Sequence, residues 1–477
     1  MQLSNSLYVE RANGPADRAV VDPGHLQDTL SELARTHQVP GAQLAIYYGG
    51  ETVAIEVGES EYGTGRLISQ DAAFPIGSIS KAFTATVAMI LVADGDLELD
   101  APLGEHIPEL GDVGVQLSLR QVLSHTSGFA SDATSDEPSP VSMRRYVLEH
   151  CCRDNMILSP GVGFSYSNIG YVLTGHLIEN ITGMSWWEAL ESILLQPLGI
   201  DPTFIVRSSG SRFPCRSIVT GHSVNTAVGR TRPVRQTLEL CRAPAGALAV
   251  SAVDLVRLGR TQLKGQAEML LPAAYAAAMR QSEPCAEPFG LADGWGLGLA
   301  LFRNGDTVWV GHDGNADGTA CHLRIDPENS YIVAFTSNAT TGIAMWQELV
   351  AELEEIGLSI GNYSTVEALG HPAAPPAGCQ GTYLNGDVEY SIQSQANGRF
   401  FLLVDGEAVA RLSFHENLHF SQQDPNSGDW MHAGRFLCNS ITGDVDQIQV
   451  DGRLARRRAG PLSEGGRCRS LKRASGT

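Results

Sequence analysis

A serine three residues ahead of a lysine, at the entrance to a long apolar run, constrains this chain more than any other stretch. The segment is Phe74-Pro75-Ile76-Gly77-Ser78-Ile79-Ser80-Lys81, and the run from Ala82 to Ala93 has the length and apolarity of a buried helix. Pro75 and Gly77 mark a turn, which sets Ser78 at or near the first turn of that helix. Residues three apart share a helix face, so Ser78 and Lys81 stand together. A serine hydroxyl is a weak nucleophile at its own pKa. A buried lysine that has lost its proton can act as its base, while first-turn N–H groups and the helix dipole favour negative charge above them. Ser-x-x-Lys also arises by accident on solvated helix faces, so the rest of the chain has to support the assignment.

The 477 residues suffice for two or three domains with cores of their own, and 43% hydrophobic with 18% charged residues is an ordinary globular composition. A net charge of −20 argues against nucleic acid as a partner, because phosphate contacts need a basic surface. The first ten residues have no basic n-region and no apolar h-region, so no secretory signal is expected and the expected address is cytoplasmic. No stretch reads as a membrane span; the longest candidate stops at Asp94-Gly95-Asp96. Nine cysteines, scattered apart from Cys151-Cys152 and without C-x-x-C spacing, read as free thiols, with no metal or cofactor expected.

Leu26 to Gln38 has the spacing of an amphipathic helix, and Ala42 to Tyr48 with Thr52 to Val57, joined at Gly49-Gly50, reads as a β-hairpin. Leu119 to Ser124 predicts a short helix leading into the small polar turn His125-Thr126-Ser127-Gly128. A second chemical cluster is Phe164-Ser165-Tyr166-Ser167-Asn168, ahead of a helical run from Tyr171 to Ile181. In an extended segment Tyr166 and Asn168 point the same way and Ser167 the other. A tyrosine can relay a proton to a leaving group, and an asparagine amide can hold both a substrate carbonyl and a lysine amine. The competing reading is that Ser167 or Asn168 simply caps the next helix.

Ser251 with Asp254 at N3 opens a further helix. Trp295 to Leu301 and Thr307 to Val310 read as successive strands, followed by Gly311-His312-Asp313-Gly314-Asn315. Glycines on both sides of His312 imply close backbone approach at a strand end. Strands near Ala320 to Ile325 and Tyr331 to Ser337, and a helix from Ile343 to Leu358, complete this part.

Taken in order, Ser78-x-x-Lys81, Tyr166-x-Asn168 and His312-x-Gly314 resemble the three motifs of the penicillin-binding-protein and class C β-lactamase superfamily. Leu123-Ser124-His125-Thr126-Ser127-Gly128 and Pro244-Ala245-Gly246-Ala247-Leu248 resemble its flanking loops, and the likeness spans roughly residues 25 to 360. It implies an α/β (α+β) catalytic domain, with an antiparallel sheet flanked by helices and an all-helical subdomain. It also implies a mechanism. Ser78 attacks a carbonyl, Lys81 and Tyr166 share the proton, and backbone N–H groups of Ser78 and Asn315 hold the oxyanion. Asn168, His312 and Gly314 then bind or orient the substrate. Lysine is usual in the third motif of β-lactamases and transpeptidases. His312 in its place resembles esterases, D-aminopeptidases and the penicillin-binding-protein-type thioesterases that cyclise peptides, and it lowers the expectation of β-lactam hydrolysis.

Beyond Leu369 the composition changes. The expected division is a catalytic domain over 1–365, a Pro/Ala linker over 366–378, and an antiparallel β-barrel with a basic tail over 379–477. Six barrel strands are predicted: 381–384, 388–393, 399–404, 408–414, 418–421 and 447–450. The barrel resembles the lipocalin-like domain appended to D-aminopeptidases and cyclising thioesterases. The segment from Arg453 to Arg458, with Arg467, Arg469, Lys472 and Arg473 beyond it, reads as a solvated tail. The sharper expectation is that Arg456, Arg457 or Arg458 reaches the catalytic mouth and binds a substrate carboxylate.

Two apparent metal motifs fail on pattern. His415-Glu416-Asn417-Leu418-His419 matches H-E-x-x-H but lies in a strand-like alternation, where a helix is needed. Asp313 to Arg324 imitates an EF-hand loop but ends in arginine.

Three functions follow as expectations. One is a serine hydrolase or acyltransferase acting on peptide-like amides, esters or thioesters with D-residue selectivity. A narrower one is a stand-alone thioesterase that macrocyclises or releases nonribosomal peptides received as a peptidyl thioester on a carrier protein. The third is a non-catalytic penicillin-recognising sensor or scaffold, which the intact Ser78, Lys81 and Tyr166 disfavour. The partners expected are a small peptide or acyl substrate, with neither nucleic acid nor membrane.

Overall fold

The computed structural model describes residues 22–132, 142–206, 216–236, 238–363, 369–423 and 430–458. The basic residues Arg467, Arg469, Lys472 and Arg473, and the expected domain boundary at 365–366, lie outside the described residues.

The catalytic part is built on one antiparallel sheet. Its strands are β1 (Gly41–Tyr48), β2 (Glu51–Gly58), β3 (Gly294–Trp295), β4 (Ala300–Asn304), β5 (Thr307–Gly314), β6 (Ala320–Asp326) and β7 (Tyr331–Ser337), in spatial order β2-β1-β7-β6-β5-β4-β3. Helices α1 (Pro23–Thr36) and α5 (Gly342–Glu355) pack on one face, with Leu26, Leu30, Trp346 and Leu349 in a shared core. The other face is covered by α4 (Ala252–Gly259) and the helical subdomain, including α2 (Ser80–Asp94) and α3 (Asn168–Thr182). The expected N-terminal helix, the hairpin at Gly49-Gly50 and the Ser251–Asp254 capping box are all present.

Helix α2 buries twelve of its fifteen residues, which is why its sequence shows almost no polar face. The stretch Gly77–Asp94 is in fact long and apolar enough to span a membrane by composition, contrary to the sequence reading, but 83% of that window is buried inside the protein. It is the central helix of the core, and Lys81 is carried in with it.

The run from Trp295 to Leu301 is not one strand. It folds back on itself, pairing β3 with β4 through a turn in which Gly298 has φ +81° and a Cβ would meet Ala85 of α2 at 2.2 Å. Gly298 serves a turn pressed against the core helix, and Gly296 one close to the Met279 carbonyl.

At the C-terminus a closed antiparallel barrel has eight strands, two more than the sequence suggests. They are β8 (Gly381–Asn385), β9 (Val388–Ser394), β10 (Phe400–Val404), β11 (Glu407–Phe414), β12 (His419–Gln423), β13 (Trp430–Cys438), β14 (Val445–Val450) and β15 (Arg453–Arg457). Strand β13 carries Gly434 in mid-strand, where a Cβ would strike the Phe420 ring. Strand β15 is the supposed tail. Leu454 and Ala455 are buried in it, and pairing with β8 and β14 closes the barrel. The His415–His419 segment is a hairpin corner between β11 and β12, with Asn417 and Leu418 at positive φ, so it offers no helical face.

Candidate active site

Two close approaches seat the Ser78 turn on β5. A Cβ on Gly314 would lie 2.0 Å from the carbonyl oxygen of Ile76, and one on Gly77, at φ +49°, would lie 2.0 Å from that of Asn315. The glycines flanking His312 therefore do mark close backbone approach, Gly314 to the turn that carries the serine and Gly311 to Leu323 on β6. Ser78 sits in a single 3₁₀ turn, Gly77–Ile79, directly before α2.

Lys81 is wholly buried, with Nζ 3.0 Å from Ser78 Oγ and 2.8 Å from the carbonyl oxygen of Ala245. Burial, reinforced by the charges of Arg453 and Arg242, holds its ammonium well below the ordinary lysine range. Tyr166 is buried and hydrogen-bonded to Ser78. Loss of water pushes its phenol up to about 12, with the Ser78 bond and Arg453 pulling the other way. The Lys81 ammonium lies 5.1 Å from the Tyr166 ring centre.

Asn168 is placed differently from the expectation. It opens α3, and its Nδ2 lies 3.0 Å from both carboxylate oxygens of Asp132, which is itself paired with Arg242. Ser167 takes the capping role, its Oγ accepting from the Gly170 N–H at 3.3 Å and donating to Ala130 O at 2.7 Å. The lysine's hydrogen bonds are to Ser78 and Ala245, so Asn168 does not hold its amine.

Ser78, Tyr166, His312 and Asn315 line a cavity of about 360 Å³ with Trp295 and Arg453. His312 is buried and its pKa falls to about 4, burial being the main cause and Lys81 the next. Its Nδ1 lies 2.6 Å from the backbone carbonyl of Asp313, an atom that can only accept, so Nδ1 carries the proton.

Arg456, Arg457 and Arg458 do not reach this cavity. Arg456 donates to Ile157 O at 3.2 Å, Arg457 lies over the Tyr383 ring at 4.7 Å, and Arg458 pairs with Glu389 at 3.4 Å. Arg453, at the start of the same strand, is the one that lines it, with its guanidinium 5.3 Å from the Tyr166 ring centre. The barrel also grips the tyrosine segment directly. The Tyr166 N–H donates to Gly452 O at 3.0 Å, and the Leu454 N–H donates to Ser165 Oγ at 3.2 Å.

His125 and Trp295 were given no part in the chemistry by the sequence reading. His125, at φ +57°, stacks on Tyr166 with ring centres 4.3 Å apart, and its Nδ1 accepts from the Ser167 N–H at 3.0 Å. Burial keeps it neutral. Trp295 stands edge-on to Tyr166 at 5.8 Å and to His312 at 5.3 Å. The available signal was the small polar phrase at 124–128, whose histidine needs a tight turn.

A sequence profile described as Beta-lactamase matches residues 26–356. Penicillin-binding protein 4 of Amycolatopsis lactamdurans is 30% identical over 343 residues, covering 70% of this chain and 89% of that protein. The crystal structure of SurE is similar over 91% of this chain and 99% of its own, at 39% identity and a TM-score of 0.81; SurE with D-Leu gives 39% and 0.78. The D-amino acid amidase of Ochrobactrum anthropi SV3 shares the fold, at 24% identity and a TM-score of 0.60 over 71% of this chain and 99% of that one. With the profile matched across the whole sheet and helical subdomain, the chain belongs to the Beta-lactamase family of serine hydrolases.

Proposed function

We propose that the protein forms an acyl ester on Ser78 from a peptide-like amide, ester or thioester, with preference for a D-residue. The observation that carries this is a fully buried Lys81 amine 3.0 Å from Ser78 Oγ. With its pKa driven down by burial, that amine is the group placed to take the serine proton. As the Oγ–carbon bond forms, the proton passes to Lys81 and the oxyanion settles on the N–H groups of Ser78 and Asn315. The leaving amine or thiolate takes its proton from the Tyr166 phenol, which recovers one from the Lys81 ammonium. His312, neutral, accepts a hydrogen bond from bound substrate or from Tyr166. Asn168, tied to Asp132, acts from the rim by steadying the Asp132–Arg242 pair. The D-residue preference draws on the likeness to SurE, which has been crystallised with D-Leu.

A second reading is a stand-alone thioesterase that macrocyclises or releases a peptide delivered as a thioester on a carrier protein. It is favoured by the barrel's part in the cavity, where Arg453, Asp451 and His432 form one wall. A wall that shields the ester from water gives an amine time to take the acyl group. Arg453 is then the group that meets a substrate carboxylate, the role the sequence assigned to its neighbours.

The test is incubation with a peptidyl thioester ending in a D-residue, with products read by mass. Hydrolysis gives a linear acid and cyclisation the dehydrated ring. Labelling by a serine-directed acylating probe should vanish in Ser78→Ala; labelling that persists would refute the nucleophile.

A further inference from the structure

We propose that the hairpin of Gly221–Asn225 and Arg230–Val234 is a docking arm for an acidic carrier protein, and that it sets the carrier's thioester at the cavity mouth. The inference rests on the second reading, delivery of the acyl group as a carrier-bound thioester, and adds to it the surface on which the carrier sits.

The charge of this segment runs against that of the chain. The protein has a net charge of −20, yet between Asp201 and Glu239 there are six arginines, at 207, 212, 216, 230, 232 and 235, and no aspartate or glutamate. Arg207 and Arg212 lie outside the described residues, and Arg216 is paired with the buried Asp254. Arg230, Arg232 and Arg235 are exposed, and among the described residues none of them is paired with a carboxylate. Three cationic groups are thus left for a partner.

The hairpin adds little to the core. It forms a two-stranded sheet of its own, apart from both the main sheet and the barrel, and only Gly221 and His222 at its root are buried. Isolated hairpins are marginal in water, so burial does not account for this one. Arg230 stands opposite Asn225 and Arg232 opposite Ser223, which puts both arginines on one face. The tip is held by the Val228 N–H donating to Asn225 Oδ1 at 3.3 Å, with Gly229 at φ +60°. It presents Val228, 70% exposed. An apolar tip flanked by arginines complements an acidic protein face with an apolar centre.

The root decides where that partner sits. His222 N–H donates to Gly318 O at 2.9 Å and Gln236 Nε2 to Asp317 O, on the loop that follows Asn315. Thr340 N–H donates to His222 O at 3.0 Å and Val224 N–H to Thr340 Oγ1 at 3.1 Å, just ahead of Ile343. Asn315 and Ile343 both line the cavity that holds Ser78. A thioester tethered to a carrier on this arm therefore meets Ser78 at the high effective concentration of a linked group. Extended polyanions are repelled by the acidic surface around the arm. A second copy of the chain would satisfy the arginines only by standing across the cavity rim.

The test uses the full chain and one D-terminated peptide in two forms, as the thioester of an acidic peptidyl carrier domain and as the thioester of N-acetylcysteamine. In the unmodified protein the carrier form should have the higher kcat/KM, by about ten-fold or more, and lose that advantage as salt is raised. Combined Arg230→Glu, Arg232→Glu and Arg235→Glu should remove the advantage and leave the small thioester within about two-fold, as expected of exposed positions. Equal kcat/KM for the two forms in the unmodified protein overturns the proposal. So does an advantage that ignores salt or survives the three replacements. Light scattering that finds a dimer split by the same replacements assigns the arm to a second copy and overturns it too. The salt series needs no variant, so it decides even where the triple replacement misfolds. Turnover of the small thioester reports the acyl-Ser78 reading on its own: a protein active on it but indifferent to the carrier keeps that reading and loses this one.

Discussion

Arg453 lies with its guanidinium 5.3 Å from the ring centre of Tyr166, although the two residues belong to different domains and stand 287 positions apart in the chain. The contact is braced by the backbone bond from Tyr166 N–H to Gly452 O. The barrel is therefore part of the active-site wall. Its arginine also lowers the pKa of Lys81 and of Tyr166 through space.

Replacing Arg453 by leucine should raise KM for substrates with a free carboxylate about ten-fold or more, the scale of a lost charge-assisted pair. The corresponding carboxamides should respond much less. Steady-state kinetics on matched acid and amide substrates measure the difference, and an equal effect on both would remove the carboxylate role.

The pH profile should have one limb on the acid side, set by Lys81. Its folded pKa is depressed, so the amine is neutral above that value and activity falls as pH drops through it. His312, at about 4, is neutral throughout the working range, and Tyr166, at about 12, keeps its proton. Because Arg453 helps to depress Lys81, Arg453→Met should move the limb to higher pH. A limb that moves to lower pH would contradict this electrostatic account.

Lys81→Met should abolish acylation and yet raise the melting temperature by a few degrees. A folded pKa below the unfolded one means that the unfolded chain binds more protons between the two values, so stability rises with pH across that window and is reduced below it. Methionine has similar length and no charge to desolvate. Thermal melts at pH 7 and pH 10 check both parts, since the gain should shrink as pH rises.

Gly314→Ala should leave a folded protein with acylation slowed by about a hundred-fold, the penalty of a misplacement near 1 Å. The new methyl would lie 2.0 Å from the Ile76 carbonyl oxygen and must push the Ser78 turn off β5. Circular dichroism with single-turnover labelling separates this from global unfolding.

Much of the fold was legible because it rests on local pattern. The Gly-Gly turn between two short runs gave the hairpin at Gly49-Gly50, and the capping box at Ser251 gave the start of α4. Strand β15 was hidden because four arginines surround its two buried residues, of which Ala455 joins the barrel core and Leu454 is buried on the opposite face, while Arg456 and Arg457 bond to Ile157 and Gln380, far away in sequence. The turn at Gly298 was hidden because that glycine is explained by Ala85, more than two hundred positions earlier.

By itself, the sequence determined that Ser78 and Lys81 share a face at the head of a buried helix, since three-residue spacing and apolar length are local properties. It also placed Tyr166 and His312 in extended segments. Tertiary structure alone decided that Lys81 is dry enough for its pKa to be driven down, that Asn168 is spent on Asp132, and that Arg453 rather than Arg456, Arg457 or Arg458 enters the cavity. Each of these depends on desolvation and on contacts between residues distant in the chain, which no spacing rule contains.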